Sequence, residues 1–279
     1  MPFAPREEAR IHYEATGTGP PLVLLPGLGY GPWCWRFQIP HLSRRFRVLA
    51  VDFRGIPPST PLPRPSSMEE FAKDTLAVLR HAGAESAHVL GVSMGGFVAQ
   101  ALAALSPRSV ESLVLVSTSA GGSLSAPMPP ETWQELAREL PQESPRDRLR
   151  RTMLLALTPD FAATRGPLLE SLLDERLAAP VPREQWMHQA LSAQGFDATR
   201  SDRAFPRPAL VVAGTRDRVV PWINSLRLYR LLPRASLLLF RDQNHLLFLE
   251  RADELDEAVT EFLTRPPAPE EDGSVREVP

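Results

Sequence analysis

A serine with a glycine two residues to either side, Gly91-Val92-Ser93-Met94-Gly95, lies between the apolar run His88–Leu90 and the segment Gly96–Leu105, which is apolar almost all round. So short and continuous a run suits a strand buried on both faces, and the segment that follows, ending before Pro107, suits a helix packed deep against a sheet. A sharp strand-to-helix turn must therefore form at the serine. Such a turn leaves no room for side chains two residues before and after it, and Gly91 and Gly95 provide that room. Gly96 is a further small residue for close helix–sheet packing. A serine held in this way is exposed and strained, and the turn aims the Met94 N–H and the helix N-terminus at one point.

The same type of apolar run recurs at Leu22–Leu25, Arg47–Val51, His88–Val92, Leu113–Ser117, Ala209–Ala213 and Ser236–Phe240, with a looser alternation over Ala9–Ala15 that reads as an antiparallel edge strand. Helical patterns fall between them at Ser67–Ala82 (opened by a serine cap with Glu69 or Glu70), Gly96–Leu105, Asn224–Leu232 and Asp253–Leu263. Alternation of this kind implies an α/β fold with a mostly parallel, twisted sheet covered by helices on both faces. From about Gly121 to Phe205 no strand is evident. Helical segments at Glu131–Leu140, Arg146–Leu157, Leu168–Ala178 and Arg183–Gly195 are joined through prolines. Because that stretch is too long for a loop, it reads as an inserted helical cap. The organisation expected is a core over 1–120, a cap over 121–205, a second core part over 206–264, and a disordered tail over 265–279, which is proline-rich and then acidic.

Composition excludes several classes of function. With a net charge of −2 and pI near 6.3, nothing draws the chain to nucleic acid or to an anionic membrane. Of the 31 basic residues only Lys73 is a lysine, a bias of little functional meaning. The single cysteine, Cys34, rules out an internal disulfide and fits a reducing compartment. Residues 1–20 lack a secretory layout and no apolar run reaches the length of a membrane span, so a cytoplasmic protein is expected.

A serine nucleophile needs a base, an acid that orients the base, and donors for the oxyanion. Of the six histidines, only His245 lies in a loop directly after the last strand. His12 and His88 lie in strands, while His41, His81 and His188 lie in helical segments, His188 remaining a candidate pocket residue. Asp217 follows the run Ala209–Ala213 at its carboxyl end, where sheets of this kind gather their functional loops. The competing loop, Thr118-Ser119-Ala120-Gly121, holds no carboxylate. Asp52 reads as a turn residue, and Asp242 is too near His245 in sequence to face it. The second oxyanion donor is expected from Leu25-Pro26-Gly27-Leu28-Gly29, at the Leu28 N–H, to act with that of Met94.

The order Ser93, Asp217, His245 and these loops resemble the alpha/beta-hydrolase family over roughly residues 8–264. The resemblance rests on Leu25-Pro26-Gly27, Asp52-Phe53-Arg54-Gly55, the elbow at Ser93, Gly214-Thr215-Arg216-Asp217 and Asn244-His245. In the family the first is usually His-Gly, the second continues Gly-His-Gly-x-Ser, and the last is usually Gly-His. Here Pro26-Gly27, Gly55-Ile56-Pro57-Pro58-Ser59 and Asn244-His245 stand instead, which alters loops around the oxyanion site without removing a catalytic atom. The relatives that use an aspartate at the elbow, haloalkane dehalogenases and epoxide hydrolases, are excluded by Ser93. Proline iminopeptidases are excluded by the missing His-Gly-Gly-Pro-Gly loop. Gly91 through Ala99-Gln100, and Pro221-Trp222-Ile223-Asn224 leading to His245-Leu246-Leu247-Phe248-Leu249, look like the intracellular polyhydroxyalkanoate depolymerase branch. Ser93-Met94-Gly95-Gly96 is equally similar to enol-lactonases, cofactor-free haloperoxidases and carbon–carbon bond hydrolases.

The resemblance implies a serine hydrolase acting on a carboxylic ester or related acyl bond of a small, largely apolar substrate through an acyl-enzyme. It implies neither cofactor nor metal. The rivals are a depolymerase-like or enol-lactonase-like esterase, a carbon–carbon bond hydrolase or lyase with the same triad, and a non-catalytic ligand receptor. Trp133, Met153, Trp186 and Met187 in the cap, with Trp33, Trp35, Phe97 and Leu246 nearer the core, are the candidates for an apolar substrate site. A monomer or homodimer is expected, with no nucleic-acid or membrane partner.

Overall fold

The computed structural model describes residues 2–265 and 273–279. Among the described residues nine strands form one sheet: β1 (Phe3–Arg6), β2 (Ala9–Thr16), β3 (Pro21–Leu25), β4 (Arg47–Val51), β5 (Ala87–Val92), β6 (Val110–Val116), β7 (Ala209–Gly214), β8 (Ala235–Phe240) and β9 (Val275–Val278). Their order is β1-β2-β4-β3-β5-β6-β7-β8-β9. From β4 to β9 all neighbours are parallel, while β2 is antiparallel to both β1 and β4. Helices α1 (Gln38–Leu42), α2 (Met68–His81) and α3 (Met94–Leu105) fall in the first half of the sheet sequence. They are followed by α4 (Pro130–Ala137), α5 (Pro145–Ala156), α6 (Pro159–Thr164), α7 (Gly166–Ala178), α8 (Arg183–Ala193) and α9 (Thr199–Ala204) between β6 and β7. The last are α10 (Ile223–Leu231), α11 (Leu247–Glu250) and α12 (Ala252–Thr264).

The continuous apolar runs are explained by two cores, one on each face of the sheet. Side chains alternate along a strand, so Val23 and Leu25 of β3 and Leu113 and Leu115 of β6 join α2, α3 and α10 in one apolar layer. Leu22 and Leu24, with Val114 and Val116, enter the other layer with α1, α11 and α12. Each such leucine, fully buried, contributes about 1.5–3 kcal/mol. The inserted helices share that second layer. Met153, Phe161, Leu169, Leu172 and Leu173 pack into it, so α5 to α7 are continuous with the sheet's own core. The serine cap expected for α2 is present, Ser67 Oγ accepting from the Glu70 N–H at 3.3 Å. No helix among the described residues is long and apolar enough to cross a membrane.

Two strands were not expected. β1 is short and proline-containing, and pairs with β2 from Phe3–His12 to Arg6–Ala9. The tail, expected to be disordered from residue 265, instead ends in β9, which extends the sheet beyond β8. Its first, second and third residues are exposed, so it has no apolar pattern to read. It is held by main-chain pairing, by Arg241 on Glu277 at 3.0 Å and by Arg251 on the Pro279 carbonyl at 2.9 Å. The rest of that expectation, residues 266–272, lies outside the described residues.

The insertion also buries a carboxyl, that of Asp202 on α9, which is 2 % exposed and whose Oδ2 has no partner among the described residues. Burial, with the charge of Asp197 second, pushes its pKa up to about 8, against about 3.9 for a free aspartate. The folded state therefore holds a proton that the unfolded state has lost, and stability falls as pH rises from about 4 through about 8. Asp202→Asn should flatten that decline. In thermal melts the variant should exceed the parent at pH 8.5 by at least ~3 °C and the gap should close towards pH 4.

Candidate active site

β3, β5, β7 and β8 run parallel, so the loops after them emerge along one edge of the sheet. Leu28 follows β3, Ser93 follows β5, Asp217 follows β7 and His245 follows β8. Ser93 has φ 54° and ψ −118°, a conformation that side chains other than glycine rarely adopt. Its backbone is fixed on both sides: its N–H donates to the Val116 carbonyl at 2.9 Å, and its own carbonyl accepts from Gly96 N–H at 2.9 Å and Thr118 Oγ1 at 2.8 Å. Thr118, in the loop after β6 that holds no carboxylate, thus serves the turn through its hydroxyl.

The three glycines around this turn are dictated by contact. A Cβ on Gly91 would lie 2.4 Å from the Gly95 carbonyl oxygen, one on Gly95 2.0 Å from that of Leu25, and one on Gly96 2.5 Å from Thr118 Oγ1. The turn is thus pressed against the end of β3, where the expected second donor lies. Among the described residues, neither the Leu28 nor the Met94 N–H has a protein acceptor, whereas the Gly29 N–H is taken by Gln189 Oε1 at 3.0 Å.

His245 Nδ1 is 2.8 Å from Asp217 Oδ2, both residues being buried. The other oxygen, Oδ1, accepts from the Val219 and Val220 N–H groups at 2.8 Å each, which leaves the carboxylate no freedom to turn. The two loops approach so closely that a Cβ on Gly214 would stand 2.3 Å from the Gln243 carbonyl oxygen. Asn244 joins them to the inserted helices. Its Oδ1 accepts from the Arg218 N–H at 3.0 Å and the His245 N–H at 2.9 Å, and its Nδ2 donates to the Leu155 and Leu157 carbonyls at 3.0 and 2.9 Å. The substitution of Asn for the family's usual Gly before the histidine was the available signal for this role.

A second buried pair, His12 Nδ1 with Asp52 Oδ2 at 2.5 Å, offers no comparable chemistry. His12 Nε2 is sealed from solvent with no partner among the described residues, while His245 Nε2 is not sealed in this way. Burial, opposed by His12, pushes Asp52 up to about 6. Burial followed by the charge of Asp52 pushes the Cys34 thiol well up, which removes Cys34 as a nucleophile.

The expected apolar substrate residues divide. Trp186 packs on Gly29, where a Cβ would lie 2.5 Å from its Cδ1, and Trp33 meets Tyr30 at 4.9 Å with the rings tilted by 51°, both at the loop after β3. Phe97 stacks on Phe196 at 4.6 Å, and His188 Nδ1 meets the Leu62 carbonyl at 3.0 Å. Trp35, Met153 and Leu246 are instead core residues, 1 %, 1 % and 0 % exposed, Trp35 being packed against Phe248. Trp133 and Met187 face solvent at 54 % and 40 %. Composition identified bulky apolar residues, but not which side of a helix or turn they occupy. Gln185 and Gln189 of α8 were missed. Gln185 bonds both main-chain groups of Leu62, and Gln189 spans the Gly29 N–H and the Arg54 carbonyl, seating α8 on the loops after β3 and β4. Among the described residues no cluster of potential metal ligands occurs.

Gly95→Ala should lower stability by about 3 kcal/mol or more in urea denaturation, since its Cβ would meet main chain that cannot give way. Gly166→Ala, where a Cβ has open space, should stay within about 0.5 kcal/mol of the parent.

Residues 20–252 match the family model described as alpha/beta hydrolase fold. The chain is 34 % identical over 266 residues to a 2-hydroxy-6-oxononadienedioate/2-hydroxy-6-oxononatrienedioate hydrolase of Cupriavidus pinatubonensis, covering 92 % of this chain and 91 % of that one. It is 31 % identical over 240 residues to the putative carbamate hydrolase RutD of Azorhizobium caulinodans, covering 85 % and 88 %. The solved structure of the enol-lactonase from Burkholderia xenovorans LB400 superposes with a TM-score of 0.81 at 25 % identity, covering 95 % of this chain and all of that one. Hydrolysis is the class of reaction these three names share, and the chain belongs to the alpha/beta-hydrolase family.

Proposed function

We propose that the protein is a serine hydrolase that cleaves a carboxylic ester, or a related acyl bond, of a small and largely apolar substrate through an acyl-enzyme at Ser93. The observation that carries this reading is the buried 2.8 Å contact between His245 Nδ1 and Asp217 Oδ2, on the sheet edge from which the strained Ser93 emerges. With Nδ1 protonated and held by Asp217, Nε2 is the basic nitrogen. It takes the Ser93 proton as Oγ attacks the carbonyl carbon. The oxyanion is received by the Leu28 and Met94 N–H groups, which have no competing acceptor among the described residues. His245 then protonates the leaving alcohol and activates a water that releases the acid. Trp186, Trp33 and Phe97 supply apolar surface beside that path.

A carbon–carbon bond hydrolase with the same three residues is the second reading, and the 34 % identity to the 2-hydroxy-6-oxononadienedioate/2-hydroxy-6-oxononatrienedioate hydrolase supports weighing it. A vinylogous diketone acid tested against a simple aryl ester separates the two. The enol-lactonase likeness favours the ester reading, as it places an acyl–oxygen bond in a fold of this shape.

A fluorophosphonate should label the parent at Ser93, and Ser93→Ala should lose both the label and turnover of p-nitrophenyl esters. Asp217→Asn should keep the fold and lower kcat by about 10⁴. Undiminished ester hydrolysis by Ser93→Ala would overturn the assignment.

A further inference from the structure

Of the two candidate oxyanion donors, Met94 opens α3 and is fixed by the packed turn at Ser93, whereas Leu28 lies in a loop. That loop closes as a turn, the Tyr30 N–H donating to the Gly27 carbonyl at 3.1 Å with Leu28 and Gly29 at its corner. Gly29 has φ 69°, the sign that a type II turn requires at its third residue. A type I turn with the same closing bond has φ of about −90° there, and rotation of the Leu28–Gly29 peptide converts one into the other. Glycine adopts both signs with similar ease, so nothing inside the turn selects between them.

A side chain of the inserted helices makes that selection. Gln189 on α8 is fully buried, and its Oε1 accepts from the Gly29 N–H at 3.0 Å. Its Nε2 donates to the Arg54 carbonyl at 2.8 Å, so each end of the amide has a partner of fixed polarity. Arg54 is itself anchored, its guanidinium bonding both oxygens of Asp74 on α2 at 2.7 and 2.6 Å. Rotation of the Leu28–Gly29 peptide would turn the Gly29 N–H away and leave a buried amide oxygen without its donor, a costly state. The Leu28 side chain packs against the first apolar layer, so the residue is held on both sides of its own N–H. We propose that Gln189 is a positioning residue for the oxyanion site: by taking the Gly29 N–H it holds the turn that presents the Leu28 N–H to the substrate carbonyl. This role rests on the serine-hydrolase reading of Ser93 and makes the attachment of α8 part of the reacting geometry. Gln185 seats the same helix through the Leu62 main chain instead.

The test separates holding the oxyanion from holding the helix. Titration with a fluorophosphonate first counts the reactive sites, so that each rate refers to folded, labelled protein. Per labelled site, Gln189→Met should lower kcat/KM for p-nitrophenyl butyrate about tenfold, less than the loss that follows complete removal of an oxyanion donor. Hexyl trifluoromethyl ketone reads the same site without turnover. Ser93 Oγ bonds to its carbonyl carbon, the serine proton passes to His245, and the carbonyl oxygen becomes an oxyanion. Its affinity should also fall about tenfold, while the corresponding alcohol, with the same chain but no electrophilic carbon, should bind within about twofold of the parent. Gln189→Glu, which keeps an acceptor for the Gly29 N–H, should recover part of the loss. Gln189→Asn, polar but one methylene short, carries the same comparison where Gln189→Met does not fold. Unchanged ketone affinity, equal falls for ketone and alcohol, or an equal loss in Gln185→Met would each overturn the role of Gln189 and leave that of Ser93 standing. A parent that is neither labelled nor active would overturn the serine-hydrolase reading itself, and this role with it.

Discussion

The carbonyl oxygen of Leu25 stands where a Cβ on residue 95 would be, 2.0 Å from that position. This closeness between the end of β3 and the first turn of α3 is what the candidate site depends on. It presses the strand-to-helix turn onto the loop that carries Leu28, so two N–H groups from separate parts of the chain stay without acceptors among the described residues, on one edge of the sheet. It also requires Ser93 to take a positive φ, a strain on the order of 1–3 kcal/mol. Three hydrogen bonds to the Ser93 main chain, from the next strand, from Thr118 and within the turn, hold it there.

The central sheet and the turn were legible because their causes are local. A strand buried on both faces has to be apolar throughout, and a turn with no space has to use glycine, so β3 to β8 and residues 91–96 announce themselves. β9 was not legible because an exposed edge strand is stabilised by main-chain bonds that leave no trace in side-chain pattern. The substrate residues show a different limit. Trp33 and Trp35 are two positions apart in the same short turn, one tilted against Tyr30 beside the loop and the other sealed against Phe248. Only the packing of the whole domain decides which way each one points.

The inserted helices are held to the sheet in two physically different ways. α5 to α7 contribute apolar side chains to the second core and cannot leave without exposing them. α8 is held largely by amide hydrogen bonds from Gln185 and Gln189 to main-chain groups of the loops after β3 and β4. A hydrogen bond exchanged for one to water contributes only about 0.5–1.5 kcal/mol net. The α8 side of the insertion, with Trp186 on Gly29, is therefore the part that can separate at lower cost.

Asn244 shows how these parts become one unit. A glycine in its place would leave the histidine loop to be fixed by main chain alone. The amide instead accepts from the main-chain N–H groups of Arg218 and His245 and donates to two carbonyls at the end of α5. The position of His245 is thus tied to a helix whose inner face, through Met153 and Ala156, lies in the core. The Leu246 N–H adds a further bond to the Ala156 carbonyl at 2.9 Å. The insertion accordingly acts on both ends of the candidate site: the end of α5 is bonded to Asn244 beside the histidine, while α8 is bonded to the loop after β3. A departure from the family's sequence pattern therefore follows from how this insertion is attached, and it leaves the Asp217 and His245 side chains free to meet each other.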